Sequence, residues 1–101
     1  MLPMSDQKVT VVALIKAQEG KEELVRNELQ GLIPTTLDEP GCINYDLHES
    51  ADRPGLFMFH ENWETKKHLE DHLARPHLQA FLAKSEELVA DPVQVTLWKA
   101  V

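Results

Sequence analysis

The 101-residue sequence predicts an α+β fold of the ferredoxin-like type, in which four antiparallel strands follow the order β-α-β-β-α-β and helices cover one face of the sheet. Three observations lead there. Four short stretches, Val9–Ala17, Cys42–Glu49, Leu56–Trp63 and Val93–Val101, alternate with the period of two that strands require. The segments between Gly20 and Pro40 and between Thr65 and Asp91 carry apolar residues at helical spacing. The strand stretches also carry apolar side chains on both faces, while two helical segments can cover only one. The expected second cover is another copy of the same sheet, so the chain reads as half of a two-fold homodimer that encloses water-poor space.

Val9-Thr10-Val11-Val12-Ala13-Leu14-Ile15 is β-branched and almost wholly apolar, as a strand buried on both sides requires. Beyond Gln18-Glu19-Gly20, residues Val25, Leu29, Leu32, Ile33 and Leu37 line one helical face opposite Lys21, Glu22, Glu23, Arg26 and Asn27. Pro34 has no amide hydrogen and crowds the preceding turn, which predicts a kink between Gly31 and Pro34 and an end by Pro40-Gly41. Cys42–His48 alternates, with Ile43, Tyr45 and Leu47 expected on one side and polar residues on the other. Asp52 and Pro54-Gly55 mark the turn of a hairpin whose second arm is Leu56–Trp63. Thr65 suits a helix N-cap, Pro76 interrupts the helix that follows, and the pattern resumes through Leu78, Phe81, Leu82 and Leu88 until Asp91-Pro92 stops it. Val93–Trp98 supplies the fourth strand. Residues 1–101 are expected to form one domain, with residues 1–7 a loose tail.

Composition narrows the function. Hydrophobic residues at 43% and charged residues at 27% suit a globular domain, and the single Cys42 cannot close an internal disulfide. A net charge of −7 without a basic cluster opposes nucleic acid and anionic membranes, and no apolar run approaches membrane-spanning length. A cytoplasmic protein with neither partner is expected. Gly-rich phosphate loops, a dinucleotide fingerprint and nucleophile motifs are missing from the sequence.

Three constellations could carry chemistry. In Glu61-Asn62-Trp63 the period of two places Glu61 and Trp63 on one face and Asn62 on the other. Glu61 reads either as an ion-pair partner at the sheet edge or as part of a pocket wall. Trp63 either packs or offers a flat surface to an aromatic substrate, and Asn62 could donate to a developing oxyanion. Among the five histidines, His68 and His72 have the i, i+4 spacing of a metal pair, but Leu69 stands where a zinc hydrolase carries Glu and no third ligand is evident, so no metal is expected. His72 alone, one turn before Arg75-Pro76, reads either as a packed side chain or as a base facing the space between helix and sheet. Tyr45 could orient a hydroxylated ligand or simply bond the backbone.

The string Glu39-Pro40-Gly41-Cys42-Ile43-Asn44-Tyr45-Asp46-Leu47-His48, followed by Pro54-Gly55-Leu56-Phe57, Glu61-Asn62-Trp63 and His72-Leu73-Ala74-Arg75-Pro76-His77-Leu78, resembles the antibiotic biosynthesis monooxygenase family from about Val9 to Trp98. The resemblance implies a ferredoxin-like subunit paired into a dimeric α+β barrel. It implies activity among quinol or polyketide-phenol oxygenases that need neither metal nor flavin, haem-degrading enzymes, and relatives that isomerise small signalling molecules. The haem-degrading pattern is not matched: Val9–Ala17 holds no Asn, His72 stands where a helical Trp aligns, and Leu82 falls near the expected His. What remains is a cofactor-free monooxygenase acting on a quinol-like aromatic with dioxygen, with His72, Asn62 and Trp63 as catalytic candidates and Tyr45, Glu61 and His48 as substrate-binding ones. An isomerase using the same pocket and a non-catalytic ligand-binding or stress-associated dimer are the alternatives.

Overall fold

A computed structural model describes residues 7–101, so the expected N-terminal tail lies outside the described residues except for Gln7. The strands are β1 (Val9–Lys16), β2 (Cys42–Glu49), β3 (Leu56–Trp63) and β4 (Gln94–Trp98), and the helical segments are α1 (Glu22–Gly31), α2 (Ile33–Leu37), α3 (Lys66–Leu73) and α4 (Pro76–Leu88). All neighbours in the sheet order β2-β3-β1-β4 pair antiparallel, which is the ferredoxin-like arrangement.

Both helix interruptions fall at proline. α1 ends at Gly31 and α2 restarts at Ile33 with Pro34 in its first turn, where a missing N–H costs nothing. α3 ends at Leu73, and Arg75, held extended (φ −66°, ψ 144°) by the proline after it, hands the chain to Pro76 at the start of α4. The core lies between these helices and the inner sheet face, where Val11, Ala13, Ile15, Phe57, Phe59 and Trp63 meet Val25, Leu29, Leu69 and Phe81. Burying side chains of this size contributes about 1.5–3 kcal/mol each.

The structure corrects two details of the sequence reading. A bulge in β2 pairs Cys42 with Trp63 and Asn44 with Asn62, so Ile43 is the extra residue and lies half exposed instead of joining Tyr45 and Leu47. The outer sheet face is also less apolar than expected. By register it carries Val12, Leu14, Met58 and Trp98, but His60 and Asn62 on β3 face the same way as Asn44 and Asp46 on β2. On β4, Val95 and Leu97 share the helix side with Ala13 and Val11 yet stay 46% and 50% exposed, because the helices do not reach that edge.

Gly41 joins α2's exit to β2 with φ +81°, and a Cβ there would stand 2.2 Å from Cγ of His68. Gly41→Ala combines left-handed strain with that collision and is expected to lower the unfolding free energy by about 1–3 kcal/mol, read from the urea midpoint.

Candidate active site

Thr65 caps α3 by accepting the His68 amide on its hydroxyl (3.2 Å), which fixes the helical phase so that Leu69 and His72, three residues apart, both point to the sheet. Alternation along β3 sends Phe59, Glu61 and Trp63 to meet them. His72, 2% exposed, stacks on the Trp63 indole at 4.6 Å with 29° between planes, and Tyr45 meets its ring edge-on at 5.5 Å. Tyr45 itself stacks on Phe59 at 4.2 Å.

Behind the imidazole lies a polar cluster. After α2, Glu39 turns its carboxylate inward, and Oε2 accepts from Nδ1 of His72 at 2.8 Å. The same oxygen lies 3.4 Å from Nε2 of His77, while Oε1 lies 3.3 Å from Nε of Arg75. His77 also bonds the Thr36 hydroxyl at 2.9 Å. A carboxylate facing Nδ1 holds the proton on that nitrogen, so Nε2 of His72 is left as the acceptor.

In front of the imidazole is an apolar cavity of about 140 Å³ between sheet and helices, its wall formed by Phe59, Leu69, Phe81 and Val93 with Tyr45, Glu61 and His72 as the polar members. Leu73, Leu82 and Val95 form its outer rim and are partly exposed. Burial is the largest influence on the charge states here. It lowers the His72 pKa below 6.5 despite the opposing effect of the hydrogen bond the ring donates to Glu39, which leaves the ring neutral near pH 7. It pushes Glu61 up to about 7, against the bond that Trp63 Nε1–H donates to it at 2.9 Å, with the Glu39 charge adding to the rise. It raises Tyr45 well above 10, so the phenol stays protonated.

Of the six residues singled out from sequence, four come together and two do not. His72, Tyr45 and Glu61 line the cavity, and Trp63 stands behind His72 as its stacking support instead of forming the wall expected of it. Asn62 lies on the opposite sheet face, bonded to Thr10 at 2.6 Å and Asn44 at 2.8 Å, because neighbouring strand residues point apart. It cannot reach an oxygen held by His72. His48 also falls on the side away from Tyr45, exposed at the outer strand. The His68–His72 pair separates: the His68 ring bonds Thr65 at 2.8 Å, whereas His72 meets Glu39 and His77. Glu39, Arg75 and His77 carry no site role in the sequence reading, which has Glu39 and His77 in the quoted motifs and Arg75 at the helix break.

These features define a small ferredoxin-like protein with a base-bearing apolar cavity. The chain belongs to the antibiotic biosynthesis monooxygenase family, whose model matches residues 8–84. It is 35% identical over 89 residues to "Putative monooxygenase Rv0793" of Mycobacterium tuberculosis, covering 88% of this chain and 87% of that protein. The solved structure of Rv0793 matches with a TM-score of 0.88 over 94% of this chain and 96% of that one. "Probable quinol monooxygenase YgiN" of Escherichia coli is 28% identical, with 88% of this chain and 92% of that protein covered. An uncharacterized Synechocystis protein, sll1783, is 30% identical over 94% of this chain, which spans 65% of its length. Among the described residues no helix is long and apolar enough to cross a membrane.

The raised Glu61 pKa has a thermodynamic consequence. The folded state keeps this carboxyl protonated up to about pH 7 while the unfolded chain releases the proton near 4.5, so its contribution is full below 4.5 and is lost as pH rises through 7. His72 acts in the opposite sense, losing its contribution as pH falls below 6.5. The difference in unfolding free energy between the native chain and Glu61→Gln isolates the first effect: it is expected to shift in favour of the variant by at most about 3 kcal/mol between pH 4.5 and 7.5 in chemical denaturation.

Proposed function

We propose that the protein is a monooxygenase that requires no metal or flavin and acts on a quinol or related phenol together with dioxygen, as a homodimer. The observation that carries this reading is the Glu39–His72 pair, hydrogen-bonded at 2.8 Å, set at the wall of an apolar cavity sized for one aromatic ring. A cavity of about 150 Å³ is enough to hold benzene, so the volume here admits a single ring and passes a fused second ring toward the rim at Leu73, Leu82 and Val95. Nε2 of His72 takes the hydroxyl proton, and the electron-rich quinolate passes an electron to dioxygen. Recombination forms a ring carbon–oxygen bond. Loss of water then leaves one oxygen atom on the ring as a hydroxyquinone and carries the other away with two quinol hydrogens. Glu61, poised near neutrality, passes its proton to the departing oxygen and is reprotonated by the one His72 took, so both quinol hydrogens end in the water and both side chains return to their starting states. Excluding bulk water keeps His72 neutral and strengthens each of these contacts. Glu39 is a positioning residue, acting through the tautomer it imposes.

Oxygen uptake above autoxidation is expected with benzohydroquinone or menadiol, and none across a quinol panel would reject the reading; anaerobic conversion would favour an isomerase instead. His72→Asn is expected to reduce kcat by about 10²–10⁴, with a smaller loss for Glu39→Gln and little change in KM. Support for the pair of subunits comes from Leu14, Val95, Leu97 and the 58%-exposed Trp98, which leave the β1–β4 edge apolar and the rim uncovered. Light scattering is expected to give a dimer mass at micromolar concentration, and Trp98→Asp a monomer.

A further inference from the structure

The polar cluster behind His72 has a second capacity that the oxygenase reading does not use. Glu39, His72 and His77 each present one ligand-type atom, and the three atoms lie within 4.8 Å of one another. The separations of Glu39 Oε2 from His72 Nδ1 (2.8 Å) and from His77 Nε2 (3.4 Å) bracket the about 3.3 Å between ligands of a tetrahedral zinc ion with bonds of about 2.0–2.1 Å. Two imidazoles and one carboxylate are also the ligand types that zinc and its first-row neighbours prefer. Two of the three, Glu39 and His77, line a surface cleft with Thr35, Asp38, Pro40 and Arg75, separate from the apolar cavity that His72 lines.

Glu39 supplies an independent sign. Its side chain is 5% exposed, and buried Oε1 has no hydrogen-bond partner although Nε of Arg75 stands 3.3 Å away, also buried and without one. A buried carboxylate oxygen left in that state is costly, and a cation drawn to the carboxylate repays it. The Arg75 side chain is 42% exposed, which leaves it room to withdraw as the second positive charge arrives or to retain Oε1 while Oε2 binds metal.

We propose that Glu39, His72 and His77 form a binding site for a divalent zinc-class cation, and that occupancy switches off the base. The switch is a change of tautomer. A metal at Nδ1 of His72 replaces the proton that this nitrogen donates to Glu39, and the still neutral ring carries its proton on Nε2 instead, the atom that accepts from substrate. No electron moves and the imidazole stays uncharged. The binding half of the proposal stands on geometry alone; the inhibitory half rests on His72 being the base of the proposed reaction.

Titrating the purified protein with zinc sulfate in a calorimeter is expected to show one ion per chain with a dissociation constant in the micromolar range, raised at least about tenfold in His77→Ala. The His77 variant changes a half-buried residue at a helix start, and circular dichroism verifies that it folds; cobalt(II) added to the native chain should give the intense visible absorption of a four-coordinate site, absent in the variant. Long-range ¹H–¹⁵N spectra of His72 should move the ring proton from Nδ1 to Nε2 on zinc addition. Absence of stoichiometric binding, or binding unchanged in His77→Ala, overturns the site; an unmoved proton overturns the switch. None of these readouts needs turnover, so a chain that binds zinc and oxidises no quinol removes the oxygenase reading alone.

Discussion

A carboxylate taken out of water must be matched by donors or it unfolds the structure that buries it, and Glu39 at 8% exposure sets that demand on everything around it. The groups that answer it come from separate helical pieces. Glu39 follows α2, His72 closes α3, Arg75 lies in the break and His77 opens α4. The second proline interruption is therefore part of the site: Pro76 splits the helical layer so that His72 and His77 approach one carboxylate from two directions. Leaving a buried polar group without its hydrogen-bond partner costs about 1–3 kcal/mol, and more for a charged one, so the cluster weighs on stability as well as chemistry.

The imidazole of His72 divides two environments. On one side stand the carboxylate of Glu39, the imidazole of His77 and the hydroxyl of Thr36; on the other, an apolar cavity with Tyr45 and Glu61 at its wall. Trp63 keeps the ring in place by stacking and at the same time ties down Glu61 through its indole N–H. The two carboxylates are thereby separated in role: Glu39 faces cationic and N–H partners, whereas Glu61 faces apolar surface and an indole, with its pKa near 7 as the result.

How much of this could be read from the sequence follows from how local each cause is. Strand alternation, the two prolines and the Thr65 cap act over a few residues, and they place all four strands and both helix breaks within a residue or a few of where the structure has them. Period-two alternation also separates Asn62 from Glu61 and Trp63, so the same rule that marks β3 as a strand keeps Asn62 out of the pocket. The Ile43 bulge was hidden because an extra residue in one strand is defined only by its partner strand. Glu39 was hidden for a related reason: 33 residues separate it from His72, and no periodicity links a residue leaving one helix to the inner face of another.

The rim of the cavity connects assembly to chemistry. In one subunit Leu73, Leu82 and Val95 are partly exposed, and β4 runs uncovered beside them. A neutral imidazole and a carboxyl with a raised pKa both depend on low polarity, so each molecule of water admitted through that rim moves His72 toward protonation and Glu61 toward ionisation, against the roles proposed for them. Whatever covers the β4 edge, whether substrate or a second subunit, therefore acts on the charge states of two side chains that it need not touch.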